Sequence, residues 1–310
     1  MGTSVPAATP AAPATLGERL CAHGHLLPLG PAGIVGKGAD FERVLQAIDR
    51  AAAHLIDADH AERLSFPPVL PRELAVRAGY QKSFPHLLGV VHAFAGGDRE
   101  HDALVASVEA GGDWGPGVAQ TDLILTPAAC YPIYASLRDG VLPPGGRTVT
   151  VTSYCFRREP SDDPARMQAF RMTEAVRLGT ATEAIAFRDR WLTQGERFLA
   201  SLGLDVRVVV ANDPFFGRRG KMLAASQRDR ALKYEIVATV GNADRPTAIA
   251  SANCHETYFG EQFRITTAGL EVASTACFGF GLERITLALF AAHGMQVARW
   301  PRQAREVLGL

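Results

Sequence analysis

Two short stretches of this 310-residue chain gather side chains that could handle a nucleotide. "FRRE" (156–159) supplies Arg157 and Glu159, and "RMQAFRMTE" (166–174) supplies Arg166, Phe170 and Glu174. Both stretches read as strand, where residues two apart share a face. Arg157 then lies with Glu159, and Phe170 lies with Met172 and Glu174. If the loop 160–168 joins an antiparallel pair, one surface carries a guanidinium, an aromatic ring and two carboxylates. The planar fork of Arg157 suits a phosphate. Phe170 offers a flat face for a base, and Glu159 can accept from an exocyclic amine. The plainer reading is a solvated strand pair with cross-strand Arg–Glu ion pairs. Glu174 sits between apolar neighbours, and a carboxylate buried there without a partner is costly.

A third stretch, "ACFGFGLERITLALF" (276–290), alternates Gly279 and Gly281 with Phe278, Phe280 and Leu282. The glycines share the face of Cys277 and leave a floor without side chains, over which a ligand could approach the backbone. Arg284 follows at the start of a helix, where the local field favours phosphate. A glycine-kinked strand packed under a helix is the plainer alternative. It leaves unexplained why Glu283 and Arg284 interrupt an apolar run.

The elements that must position these groups follow from periodicity. "DFERVLQAIDRAAAHLI" (40–56) is a helix with Asp40 as expected N-cap. Residues 64–74 form a short strand interrupted by prolines, 84–96 is mixed, and 120–137 is a strand running into a helix near Pro132. "RTVTVTSYCFRRE" (147–159) alternates β-branched residues and returns, after a polar loop, as a second strand through Thr180. A helix opened by Thr182 and closed by Gly203 comes next. Strands are expected at 205–211, 232–240, 247–254 and 261–269. The basic, polar 217–231 is expected to be mobile. The chain closes with a strand turning into a helix near Leu282. Short connections and one long interrupting helix point to an α+β domain, a mostly antiparallel sheet with helices packed on it.

Composition narrows the partners. Hydrophobic residues make up 47% and charged residues 21%, the balance of a globular protein with a sizeable core. Lys plus Arg equals Asp plus Glu at 32 each, so net charge gives no reason to expect a nucleic-acid groove. No apolar run approaches the ~20 residues that span a bilayer. Residues 1–16, rich in Ala, Pro and Thr, read as a disordered tail without signal-peptide features, ahead of a single domain over 17–310. The five cysteines, Cys21, Cys130, Cys155, Cys254 and Cys277, lack CxxC spacing, which fits a reducing cytoplasm and small buried hydrophobes. His255, between Cys254 and Glu256, invites a metal reading, but neighbours on a strand point to opposite faces.

Together these motifs resemble the catalytic domain of class II aminoacyl-tRNA synthetases. The second signature of that family stands as "FRRE" with Arg166, Phe170 and Glu174, and the third as "FGFGLER" (278–284). A weaker first motif, a helix running to a strand that ends at proline, is "VLQAIDRAAAHLIDADHAERLSFPPVL" (44–70) with Pro67 or Pro68. The resemblance covers roughly residues 40 to 300. Within the class it is nearest to seryl-tRNA synthetases through "SANCHETYFGEQFR" (251–264) and "TPAACYP" (126–132), where those enzymes carry a Thr-x-Glu substrate segment. Two departures matter. No heptad arm for tRNA precedes the first helix, and Cys130 stands at the Thr-x-Glu position. Both are features of amino acid:[carrier protein] ligases, truncated homologues of the zinc-dependent archaeal-type seryl enzymes.

The resemblance implies a site, residue by residue. Cys130, Glu174 and Cys277 would hold one zinc ion; three protein ligands leave a position open for a substrate amine. The plainer reading keeps the two cysteines as buried thiols and ion-pairs Glu174. Arg157 and Arg284 would carry catalysis. ATP would be bound by Arg157, Glu159, Arg166, Met167, Phe170, Lys233, Glu235, Ala248, Ile249, Ala250, Ser251 and Arg284, with Mg²⁺ bridging phosphates near Glu235. Asn253 would contact the amino acid. The implied reaction activates a small amino acid, glycine favoured over alanine, and loads it on the phosphopantetheine thiol of an acyl carrier protein. The implied enzyme is a cytoplasmic homodimer without tRNA or membrane partners. A seryl-type tRNA synthetase and a non-catalytic class II paralogue that binds adenylate or a partner as a regulator are the competing readings.

Overall fold

The computed structural model describes residues 14–241 and 245–310. The expected tail therefore lies, for residues 1–13, outside the described residues. From there the chain forms α1 (Leu16–Ala22), the hairpin β1 (Leu26–Pro28) and β2 (Val35–Lys37), and α2 (Ala39–Asp57). A smaller lobe follows after β3 (Glu62–Leu64): β4 (Val69–Pro71), α3 (Arg72–Arg77), α4 (Tyr80–Ser83), β5 (Val90–Ala93), α5 (Asp98–Glu109) and β6 (Ala119–Leu125). The main body continues through α6 (Tyr131–Ser136), β7 (Arg147–Phe156), β8 (Ala169–Gly179), α7 (Ala181–Ser201), β9 (Val206–Val210) and α8 (Gly217–Asp229). It ends with β10 (Lys233–Ala238), β11 (Thr247–Glu256), α9 (Tyr258–Phe263), β12 (Ser274–Gly281), α10 (Leu282–His293) and α11 (Arg302–Leu308).

Seven strands make one sheet in the order β3-β7-β8-β12-β11-β10-β9, antiparallel throughout except where β3 runs parallel to β7. This is the α+β architecture that the periodicity implies. One face carries α7, α10 and α2 over the main core, where Trp191, Phe278 and Phe280 stack edge and face. Gly195 of α7 meets that core closely: a Cβ there would stand 2.2 Å from the Phe278 ring. The opposite face of β8, β12, β11 and β10 opens into cavities.

Four expectations are corrected. The first long helix is capped at Gly38 rather than Asp40, which sits inside the first turn and pairs with Arg43. The cap of α7 is Thr180, not Thr182, because Thr180 and Glu183 form a reciprocal capping box. The basic segment expected to be mobile forms helix α8, anchored by Gln227 to Asp213. The strand expected over 261–269 is instead the end of α9 and a turn, since Phe259 and Phe263, four apart, bury one helical face. Gly203 does follow the end of α7 in a left-handed conformation, as a helix stop should.

The pair Glu283–Arg284 now has a structural reason. Glu283 is 2% exposed and accepts from the Arg171 backbone N–H at 2.6 Å and from its Nε at 3.2 Å. The same guanidinium grips both carboxylate oxygens of Glu42 at 2.7 Å, and Lys37 lies 3.8 Å from Glu283. Asp49 of α2 accepts from Thr152 and Thr173 on the same sheet face. These contacts tie α2, β8 and the start of α10 together behind the sheet. Removing one member leaves buried charge unpaired, so Glu283→Ala should cost about 3 kcal/mol and Glu283→Gln less. Urea unfolding midpoints of the two variants check this.

A metal-capable centre beside a second cavity

Register across the sheet sets the site. Gly279 pairs with Glu174 on one side and Ser251 on the other, and Ser251 pairs with Glu235. One step along, Cys277 pairs with Asn253, which pairs with Lys233. Side chains paired across antiparallel strands share a face, so these rows lay Glu235, Ser251, Glu174, Lys233, Asn253 and Cys277 on one surface. Phe170, Met172 and Glu174 share that face as expected, while Arg171 and Thr173 turn to α2. A Cβ on Gly279 would come within 3.2 Å of Met172 and 3.3 Å of Glu174, so glycine keeps the floor open.

Donor atoms of Cys130, Glu174 and Cys277 lie within 4.8 Å of one another, and all three residues are buried. Cys130 reaches the cluster from the turn that starts α6, two residues after Pro127–Ala128; the other two come from β8 and β12. This donor set is one that could hold a cation. Glu174 accepts from the Ala129 N–H at 2.9 Å and from the Cys130 thiol. Burial first, and the charge of Cys277 second, push its carboxyl up to about 8. Hydrogen bonding from Cys130 pulls the Cys277 thiol well down, aided by His255 and Asn253, while the same bond together with burial and Glu174 pushes Cys130 up. Two thiols and a carboxyl confined to one buried pocket would, once deprotonated, fit a divalent metal with soft sulfur and hard oxygen ligands. The cluster faces a cavity of about 450 Å³, lined also by Tyr80, Phe84, Tyr131 and Phe259.

A second, smaller cavity of about 100 Å³ is lined by Arg157, Phe170, Lys233, Glu235, Ala248, Ile249, Ala250, Ser251 and Arg284 among others. The Arg157 guanidinium lies over the Phe170 ring, 5.3 Å from its centroid, and its Nε donates to the Pro127 carbonyl at 3.2 Å. Arg284 donates to the carbonyls of Ala165 at 2.8 Å and Ala248 at 3.1 Å. Glu159 and Arg166 pair at 3.4 Å on the loop between β7 and β8. Lys233 pairs with Asp213 at 2.5 Å and Glu235 at 3.2 Å. Burial opposes both charges of the Lys233–Asp213 pair, yet their attraction wins, holding Asp213 down and Lys233 up. Arg157, Met172, Lys233, Ser251 and Gly279 border both cavities.

Three sequence readings change here. Met167 is buried in the main core and does not line the smaller cavity. Cys21 is exposed, whereas Cys155 and Cys254 are buried as expected. His255 belongs to the site after all: its Nε2 lies 3.7 Å from the Cys277 sulfur. It sits on the strand face of Ser251 and Asn253, and that i±2 relation was the signal available in the sequence. Asp213, tied to Lys233, Gln227 and Asn212 around the loop before α8, had no such signal.

In metal-free protein the raised Glu174 binds a proton that the unfolded chain has lost above its ordinary value of 4.5. Stability from this group is present below that value and is lost as pH rises toward about 8. Metal-free Glu174→Gln should therefore show a flatter fall in melting temperature between these pH values than the metal-free parent, as read by thermal unfolding across pH.

Residues 118–293 match the family described as tRNA synthetase class II core domain (G, H, P, S and T). Two relatives from Bradyrhizobium diazoefficiens stand close. Amino acid–[acyl-carrier-protein] ligase 2 is 42% identical over 283 residues, 91% of this chain and 84% of the relative. Amino acid–[acyl-carrier-protein] ligase 1 is 41% identical over 285 residues, 91% and 86%. Among solved structures, the M. kandleri SerRS in complex with A. aeolicus tRNASec superposes with a TM-score of 0.83 at 22% identity, covering 95% of this chain and 60% of that one. That likeness shows the shared fold. Motifs, sheet and site thus converge with the comparisons: the chain belongs to the class II tRNA synthetase core family and, within it, to the amino acid–[acyl-carrier-protein] ligases.

Proposed function

We propose that the protein uses ATP to activate a small amino acid, glycine favoured and alanine possible by kinship, and passes it to the phosphopantetheine thiol of an acyl carrier protein. The observation that carries this reading is the shared border of the two cavities. An amino acid held by its amine at the cysteine–glutamate cluster would extend its carboxylate toward Arg157, Lys233 and Ser251, where a nucleotide in the other cavity would present its α-phosphate.

In the first step the carboxylate oxygen forms a bond to the α-phosphorus, and the bond to the bridging oxygen of pyrophosphate breaks. In the second step the carrier thiolate forms a thioester with the acyl carbon, and AMP leaves. Arg157 neutralises the α-phosphate, and Arg284 and Phe170 flank the base, with Glu159 set to accept from its exocyclic amine. Arg166 faces the outer phosphates, and Glu235 is placed to hold Mg²⁺. Asn253 lines the amino-acid cavity beside Cys277. No side chain acts as a covalent nucleophile; positioning and charge neutralisation do the work. Zinc, held by Cys130, Glu174 and Cys277, would supply a Lewis-acid site that takes a neutral amine and rejects acids lacking one.

A homodimer follows from the first motif of the family, and exposed Phe94, Val105, Val108 and Trp114 on the smaller lobe give apolar surface that a second copy could cover. Among the described residues no helix is long and apolar enough to cross a membrane. The free thiols fit the reducing cytoplasm.

Amino-acid-dependent ATP–pyrophosphate exchange tests the first step. Exchange with glycine or alanine is expected, and none with any amino acid would sink the enzymatic reading in favour of a non-catalytic paralogue. Arg157→Ala should lower exchange by about 10²–10³-fold. Radiolabelled amino acid offered to phosphopantetheinylated carrier protein and to tRNA separates the acceptors: label on tRNA alone would replace the carrier reading with a seryl-type synthetase. Cys130→Ser should lose metal, measured by elemental analysis, together with exchange activity.

A further inference from the structure

His255 and Tyr134 surround the metal-capable cluster without belonging to it. His255 is the extra residue of a β-bulge: Cys254 pairs with Ala276 and Glu256 with Thr275, so one residue of β11 is left over between two ladder pairs. The bulge aims its ring at Cys277. Nδ1 is 3.1 Å from the Thr275 hydroxyl, which can donate to it, leaving the N–H on Nε2, 3.7 Å from the sulfur. The amide of Asn253 reaches the same sulfur at 3.5 Å. Phe259 lies edge-on to the His255 ring at 4.9 Å and stacks flat on Tyr134 at 4.0 Å, which fixes both rings. Tyr134 is fully buried, and its hydroxyl has no hydrogen-bond partner among the described residues. Tyr134 lies four residues after Cys130, the cap of α6, so the two side chains fall on one face of that helix, with Cys130 the nearest of the three cluster residues to act on the hydroxyl.

An orphan hydroxyl in a buried site costs free energy unless a ligated state satisfies it. The metal state has the complementary need. Two thiolates and a carboxylate outweigh a divalent cation by one negative charge, in a site from which water is largely excluded. Donors aimed at the sulfurs spread that charge and hold each lone pair in direction.

Resting on the metal reading above, we propose that His255 and Tyr134 are positioning residues of the metal centre, with His255 Nε2–H donating to the Cys277 thiolate and the Tyr134 hydroxyl donating to the Cys130 thiolate. By drawing electron density from the sulfurs they leave the metal more electrophilic toward a substrate amine. In this role they act through the sulfurs rather than on substrate or ATP.

The test uses metal-loaded protein and two readouts other than activity: zinc competition with a chromogenic chelator, and the thiolate-to-metal charge-transfer band of cobalt-substituted protein. His255→Ala should weaken zinc retention by about 10- to 100-fold, and Tyr134→Phe should act in the same direction. Both should move the charge-transfer band to longer wavelength, because an unbonded thiolate is easier to oxidise. His255→Gln, which keeps an N–H near the same place, should recover part of both losses. Should His255→Ala fail to fold, Tyr134→Phe, which removes only an atom unpartnered in the metal-free protein, decides the matter. Parent protein that binds zinc, with variants within about threefold of it and an unmoved band, overturns this inference alone. Parent protein that holds no zinc or cobalt overturns the metal reading and this inference together.

Discussion

A carboxylate and two thiols confined to one buried pocket are the constraint around which this molecule is arranged. All three are buried, and Glu174 accepts only from the Ala129 N–H and the Cys130 thiol among the described residues. Neutralising such a group by protonation is the default in a protein interior. A cation held by all three would take its place. The sheet register is what brings them together. Glu174 must lie across from a residue without a side chain, and Gly279 is that residue; Cys277 must lie one step further on the same face, and a one-residue slip would turn it into the main core.

Around the smaller cavity the polar groups satisfy one another. Glu159 holds Arg166, Asp213 and Glu235 hold Lys233, and backbone carbonyls hold Arg284. The network behind the sheet does different work. Arg171 is saturated by Glu42 and Glu283, so it braces Phe170 and Arg284 from the rear. Alternation along the first half of β8 divides its faces, with Phe170, Met172 and Glu174 toward the cavities and Arg171 and Thr173 toward α2.

Much of this was legible because it is periodic. The strand expected over 147–159, which stops at Phe156, its return strand, the glycine alternation in β12 and the helix near Leu282 follow from spacing, and spacing also set Arg157, Phe170 and Glu174 on one surface. The misreadings have physical causes. Residues 217–231 are so polar that no apolar stripe announces a helix, and α8 is tied down by Gln227 instead. Residues 261–269 contain a β-branched run, but two phenylalanines four apart bury first and carry the backbone into a helical turn. Met167 follows Arg166 in the motif and was read with it, although burial sends its side chain to the main core. His255 was judged against its chain neighbours, when its partners are the residues two positions away. The pairing of Asp213 with Lys233 spans a whole helix and leaves no local trace.

Under the proposed reaction, the geometry also limits the substrate. The metal-capable residue Cys277 and the shared floor Gly279 are one same-face step apart on β12, a separation of about 6.6 Å on a regular strand. An amino acid held by its amine at one end of that step and reacting at the other must have its carboxylate close to its amine. An α-amino acid meets this condition. A longer ω-amino acid would carry its carboxylate past Lys233 and Arg157 toward the base side of the smaller cavity. The larger cavity, in contrast, continues from the cluster toward Tyr80, Phe84 and Phe259 and is far roomier than one small substrate requires. Spare volume on that side leaves a route along which a thiol could reach the acyl carbon while the nucleotide stays in place. The sheet thus fixes the reacting ends of the substrate, and the aromatic wall leaves access for the acceptor.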